Sequence, residues 1–290
     1  MAESDPENSS IPYDYSSLES EYHIRIIRLE PSLDRHAPLR FSFEHGRLAD
    51  LQHNYEAISY TWGDPSFLHR LYSAVDNTFL GITKNLDAAL RRFRDAVHVR
   101  LLWADAVCIN QSDDEEKAFQ IPLMKEIYQG ARQVLVWLGG GFQEEAAVRF
   151  LYAASRKPRD PLPTSEESRT IVLRQLFAFF NLPYFGRRWI IQEIVLNPDC
   201  SLYCGRAEIS WIRFMAAIES LNNMASALKT LSGVPFETLE TLFSLWQFWT
   251  RLPFLAKDGH RDKNVRKILT ILNRFDAFQC SEPRDRLYAL

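Results

Sequence analysis

Alternating and continuous runs of apolar residues divide the chain into a regular succession of elements. Tyr22–Glu30 (YHIRIIRLE) alternates apolar and charged positions, the two-residue period of a strand with one buried face. Leu39–Phe43 (LRFSF) alternates in the same way beyond a proline-containing loop, so the two runs predict an N-terminal hairpin. Tyr55–Thr61 (YEAISYT) reads as a buried strand stopped by Trp62-Gly63-Asp64-Pro65, a strong breaker. Leu71–Val75 reads as a further short strand. Leu86, Ala89, Leu90, Phe93 and Val97 fall at helical spacing and predict an amphipathic helix over 85–97. Val99–Ala104 (VRLLWA) and Gln133–Leu138 (QVLVWL) read as two more buried strands. Between them Ser112 and Glu115 form an S-x-x-E capping signal for a helix running to Gln129, with a kink expected at Pro122 and Gly130 as its end.

Strand, helix, strand, helix, strand is the order of a parallel sheet with helices on its faces, an α/β fold. Ligands of such sheets bind outside the carboxyl ends of the strands. Those ends carry Trp62-Gly63-Asp64, then Asp105 with Cys108-Ile109-Asn110-Gln111, then Gly139–Gly141. Further on, helices are predicted near 143–155, over Ile171–Phe180 and over Arg187–Val195, with a proline-rich exposed loop at 156–167 inside an insertion of about 156–185. Ser201–Cys204 and Glu208–Ile209 suggest a small hairpin about Gly205. The expected organisation is a disordered tail over 1–20, rich in Ser, Asp and Glu, an α/β domain over 21–210 and a mainly helical extension over 211–290. The chain is expected to continue in a longer protein.

Composition narrows the function classes. Hydrophobic residues make up 46% and charged residues 24% of the 290 positions, ordinary for a globular chain. The 34 basic and 37 acidic side chains are interspersed; no basic block suits a nucleic-acid backbone. The first residues lack a signal-peptide pattern and no apolar run reaches the length of a membrane span, so a cytoplasmic chain is expected. Cys200 and Cys204 have no matching His/Cys pair, which argues against a zinc site. Cys108 reads as a buried thiol.

Three clusters carry candidate chemistry. Ser59, Tyr60, Trp62 and Asp64 bring polar groups and a stacking face to a strand end; they suit either a tight turn or a pocket wall. Asp105, Asn110 and Gln111 suit either loop ordering or ligand contact. Trp189 and Glu193, four residues apart, share a helix face. Glu193 lies among Ile190, Ile191, Ile194 and Val195, where a carboxylate needs a partner or a raised pKa. It is either an ion pair with Arg187 or Arg188, or a catalytic acid beside an aromatic surface. Glu282-Pro283-Arg284-Asp285-Arg286 reads as a helix start.

The motifs YEAISYTWGDP and LLWADAVCINQ, then VLVWLG, RRWIIQE and EPRDRLYAL, occur in an order that resembles the fungal heterokaryon-incompatibility (HET) domain family over about 55–290. Glu116, Gln120, Met124, Ile127-Tyr128 and Ala131 fit the same pattern. The family is also similar to Toll/interleukin-1 receptor (TIR) domains, which have a flavodoxin-like parallel sheet. In that resemblance Glu193 is the counterpart of the catalytic acid of NAD-cleaving members. Ser59, Tyr60, Trp62, Asp64, Asp105, Asn110 and Trp189 would then line the nucleotide site. The resemblance implies an effector of vegetative incompatibility and programmed cell death, with NAD as substrate rather than cofactor and no metal. The alternative is a non-catalytic module that self-associates or docks a protein partner to relay non-self recognition.

Overall fold

A computed structural model describes residues 10–156, 162–187, 189–190, 193–194, 197 and 199–223. The chain divides into two compact units, Met1–Trp137 and Leu138–Leu290.

The first unit is built on a mixed sheet. Its elements are β1 (Ile11–Pro12), β2 (His23–Leu29), β3 (Leu39–Arg47), α1 (Leu48–Leu51), β4 (Glu56–Tyr60), β5 (His69–Ser73) and β6 (Thr78–Ile82). They continue with α2 (Lys84–Phe93), β7 (Arg100–Trp103), α3 (Asp105–Cys108), α4 (Asp114–Gly130) and β8 (Gln133–Trp137). Within this unit the strands lie in the order β1-β6-β5-β3-β2-β7-β4-β8. The three strands expected to be parallel are so: β4 pairs β7 on one side and β8 on the other. The predicted hairpin β2–β3 forms and joins the same sheet, with β2 antiparallel to both β3 and β7. A purely parallel sheet is therefore corrected to a mixed one. β5 and β6 make a second antiparallel pair, reached from β3.

Burial explains these strands. All five residues of β4 are buried, and β8 buries Val134 to Trp137, as expected of strands covered on both faces. β2 departs from its sequence pattern. Arg25 sits at 1% exposure between buried Ile24 and Ile26, so the charged positions of this strand do not all face water. Glu116 of α4 accepts from both terminal nitrogens of its guanidinium, at 2.5 and 2.9 Å. The carbonyls of Cys108 and Ser16 accept from the same groups. Glu56 is likewise inside, at 3% exposure, paired with Arg100 and with Arg132 at 3.1 Å.

The helices start where local chemistry caps them. Thr83 caps α2 through the Leu86 amide at 3.3 Å, and the helix buries Leu86, Ala89, Leu90 and Phe93. It ends at Phe93 rather than 97, because the Asp95 carboxylate accepts from the Val97 and His98 amides and turns the chain. The cap of α4 is Asp113, which accepts from the Glu115 and Glu116 amides. Ser112 instead donates its backbone N–H to the Asn110 side chain. One residue separates the two assignments. The helix runs through Pro122 to Gly130. Tyr55 and Tyr128 hydroxyls donate to the Ile127 and Ile58 carbonyls, fixing α4 on the sheet.

Residues 11–16 belong to this fold and not to a disordered tail. Ile11–Pro12 pair parallel to β6. Tyr13 packs on Phe41 and Phe43 at 5.7 and 5.6 Å between ring centroids. Composition misjudged the segment because two tyrosines anchor an otherwise polar stretch.

The second unit holds α5 (Phe142–Ala154), α6 (Glu166–Phe180), a 3-10 turn at Pro183–Gly186, the hairpin β9 (Cys200–Cys204) with β10 (Ala207–Ser210), and α7 (Trp211–Asn223). The stretch read as an insertion carries α6 and most of the turn, and Phe179, Phe180, Tyr184 and Phe185 are buried. Phe179 and Phe185 meet at 5.2 Å, and Phe185 stacks on Phe214 of α7 at 6.3 Å. The predicted hairpin about Gly205 forms, with that glycine at φ +56°. Gly140 has φ +119°, and a Cβ there would overlap the Cys204 sulfur; both constraints require glycine. Of the helical extension expected over 211–290, α7 is described; beyond Asn223, and so for Glu282–Arg286, the expectations lie outside the described residues.

Candidate functional site

The carboxyl ends of the three parallel strands are joined by side-chain hydrogen bonds. Trp62, just past β4, donates its indole N–H to Asp105 Oδ2 at 2.9 Å. Asp105 follows β7, and its other oxygen accepts from the Ala106 amide at 2.8 Å. Asn85 of α2 donates to the carbonyl and hydroxyl oxygens of Thr61 at 2.6 and 3.1 Å. Its own oxygen accepts from the Trp137 indole at the end of β8, at 3.0 Å. Thus Asn85 ties β4 to β8, while the Trp62–Asp105 pair ties β4 to β7.

Of the predicted residues, Trp62 and Asp105 are in contact, and both are half-buried. Asp64 is exposed beyond Gly63, whose φ is +74°. Ser59 and Tyr60 lie inside β4 at 0% and 2% exposure. Asn110 accepts from the Ser112 amide and donates its own N–H to Glu116 Oε1 at 2.7 Å. Gln111 donates to the Asp105 carbonyl at 2.9 Å. The Asn110 and Gln111 bonds order the loop after β7, and Asp105 joins that loop to Trp62.

Trp189 and Glu193 lie in the second unit. The Glu193 N–H donates to the Trp189 carbonyl at 3.1 Å, so the two stand one helical turn apart, as their spacing predicts. Glu193 is 1% exposed, and both its oxygens accept from Arg187, at 3.1 and 3.0 Å. The Arg187 guanidinium also lies over the Tyr184 ring at 5.7 Å. Such a fork satisfies a buried carboxylate with charge and geometry together. Arg187 was one of the two partners expected from sequence; Arg188 lies outside the described residues.

Sequence reasoning missed Asn85, Trp137 and the Arg25–Glu116 pair. Asn85 was hidden as a polar residue at a helix start, and nothing local marks it as a bridge. A groove of about 430 Å³ in the first unit, lined by His36, His69, Arg70, Tyr72 and Arg91 among others, includes none of the predicted site residues. Among the described residues no group of three or more His, Cys, Asp or Glu side chains could hold a metal ion. No described helix is long and apolar enough to cross a membrane.

The three described cysteines are chemically quiet. Burial pushes the Cys108 and Cys204 thiols up to about 12 and raises Cys200 as well. Thiolate is the reactive form. All three are therefore expected to resist iodoacetamide at pH 8 and to react once the chain is unfolded, as peptide mass mapping would read. Rapid labelling of the native protein at Cys108 would contradict its burial.

Trp62→Phe keeps the ring and removes the donor to Asp105. A hydrogen bond to a charged group contributes about 1.5–3 kcal/mol, and half-exposure lowers this, so a loss of about 1–2 kcal/mol in urea unfolding is expected. An unchanged midpoint would show that water replaces the indole without cost.

These features define an α/β domain whose parallel strands end in a hydrogen-bonded cluster of indole, amide and carboxylate groups. Residues 55–193, from Tyr55 just before β4 to Glu193, match the family model described as Heterokaryon incompatibility protein (HET). Over these residues the chain is similar to that family. It is 34% identical over 237 residues to "Heterokaryon incompatibility protein 6, OR allele" of Neurospora crassa, an alignment covering 66% of this chain and 35% of that protein. The chain thus spans about a third of the length of this curated relative. No solved structure matches it.

Proposed function

We propose that the chain acts in heterokaryon incompatibility, as a cytoplasmic domain that relays recognition of unlike cells towards cell death by self-association or by docking a protein partner. The HET family match and the relative's name support the biological role. The observation that carries the relay reading is the Arg187–Glu193 fork. Both oxygens of a carboxylate at 1% exposure are held by one guanidinium, an arrangement that suits a structural ion pair better than an acid waiting for a substrate.

A second reading is favoured by two other observations. In chain order, β7-β4-β8 is second-first-third, the start of the flavodoxin-like strand order, and Trp189 and Glu193 are one turn apart. On this reading the domain is TIR-like and cleaves the nicotinamide–ribose bond of NAD. Glu193 stabilises the positive charge developing at the ribose, and Trp189 stacks a base.

The test is expression of the full chain and of Glu193→Gln in a filamentous fungus, scoring death, with thermal melts to establish which variants fold. Relay predicts that a folded Glu193→Gln still kills. Loss of killing by a folded variant overturns it in favour of the chemical reading.

A further inference from the structure

The N-terminal strap lies on a surface formed by three separate parts of the first unit. β1 completes the edge of the sheet along β6, with Ile11 opposite Thr78 and Pro12 opposite Phe79. The Ser10 hydroxyl donates to Asn77 at 3.1 Å, and the Tyr13 N–H donates to the Phe79 carbonyl at 2.8 Å. Tyr13 sits against Phe41 and Phe43 of β3. Tyr15 donates its hydroxyl to the Val107 carbonyl in α3 at 2.9 Å, and the Arg25 guanidinium lies over its ring at 5.0 Å. The carbonyl of Ser16 accepts from Arg25 at 2.6 Å. The segment is thus bound as a recognised peptide is: one edge supplies main-chain bonds and spaced side chains supply specificity.

Two features make this attachment exchangeable. The strap's own Ile11, Pro12, Asp14 and Ser16 are exposed, so its hold rests on two tyrosines, the Ser10 hydroxyl and a few main-chain bonds. The connector to β2, residues 17–22, is largely exposed as well. A surface that accepts a segment of its own chain accepts the same segment from an identical chain at little extra cost, which is the logic of domain swapping.

We propose that this face is a peptide-docking surface for Ile11–Ser16 and that exchange of the strap between two copies is the route of self-association. This rests on the relay reading and names its contact. The strap also bonds α3, which begins with Asp105. Exchange therefore places a second copy's Tyr15 on the element that carries the Trp62–Asp105 pair.

The test uses full-length chains carrying Ser10→Cys or Asn77→Cys, mixed and treated with a short bismaleimide. Exchange predicts a crosslinked dimer containing one chain of each kind. The dimer should fall at least fivefold with Tyr13→Ala/Tyr15→Ala in the Ser10→Cys chain, and with excess synthetic peptide of residues 8–18. Mixtures of either single variant with the unsubstituted chain set the background. A double variant in one chain reports the strap in place by internal crosslinking. Internal crosslinking without mixed dimers overturns exchange, as do mixed dimers indifferent to the tyrosines and peptide. Neither result touches the killing assay, so a failure here is separable from a failure of the relay reading.

Discussion

Replacing Arg25 by Met is expected to destabilise the chain by about 3–5 kcal/mol, the usual cost of removing one partner of a buried ion pair. The size follows from what is left behind. Glu116 would keep its contact with the Asn110 amide and lose the guanidinium that neutralises it. The Cys108 and Ser16 carbonyls would lose their donor as well. The effect should also be directional. Amide exchange should accelerate first in residues 104–111 and in the strap, because Arg25 touches both. Pairing Arg25→Met with Glu116→Leu should recover much of the loss, since an apolar pair of similar volume leaves no orphaned charge. A single substitution without effect on urea unfolding would mean that the pair is not closed from water.

Arg187→Met is expected to cost about 3–5 kcal/mol for the same reason, because Glu193 at 1% exposure would be left without its guanidinium. Its companion separates two roles for the acid. Glu193→Gln in the Arg187→Met background removes the buried charge and should restore part of the stability. If Glu193 acts structurally, the double variant regains function with its fold. If the acid is chemically required, stability returns and killing does not. Thermal unfolding and the death assay, read together, decide between these outcomes.

Much of the first unit was legible because local pattern and tertiary role agree there. The hydrophobic runs of β4, β7 and β8 announced buried parallel strands, the Leu86–Phe93 spacing announced α2, and Gly205 announced the β9–β10 turn. Failures arose where partners are distant. Arg25 looked like an outward-facing charge because its acceptor Glu116 lies 91 positions away. β1 was invisible because two residues carry no period, and its binding comes from Tyr13 and Tyr15 meeting rings on β3 and a carbonyl on α3. β6 was missed because Gly81 interrupts a short run whose pairing to β5 fixes it.

At the site, the loops were legible and the bonds within them were not. The breaker after β4 and the Asp after β7 correctly marked strand ends. That Trp62 would donate to Asp105, and that Asn85 would bridge Thr61 to Trp137, depends on register between strands far apart in the chain. Glu193 shows the same division. Its shared turn with Trp189 follows from spacing alone, whereas the choice of Arg187 as partner depends on how the turn at Pro183–Gly186 returns the chain.

The relay account is tested most directly by cellular NAD measured against the onset of death after induced expression of the full chain. The account predicts that membrane integrity is lost while NAD per viable cell stays at the level of uninduced controls. A fall in NAD that precedes death, and that disappears in a folded Glu193→Gln variant, would contradict it.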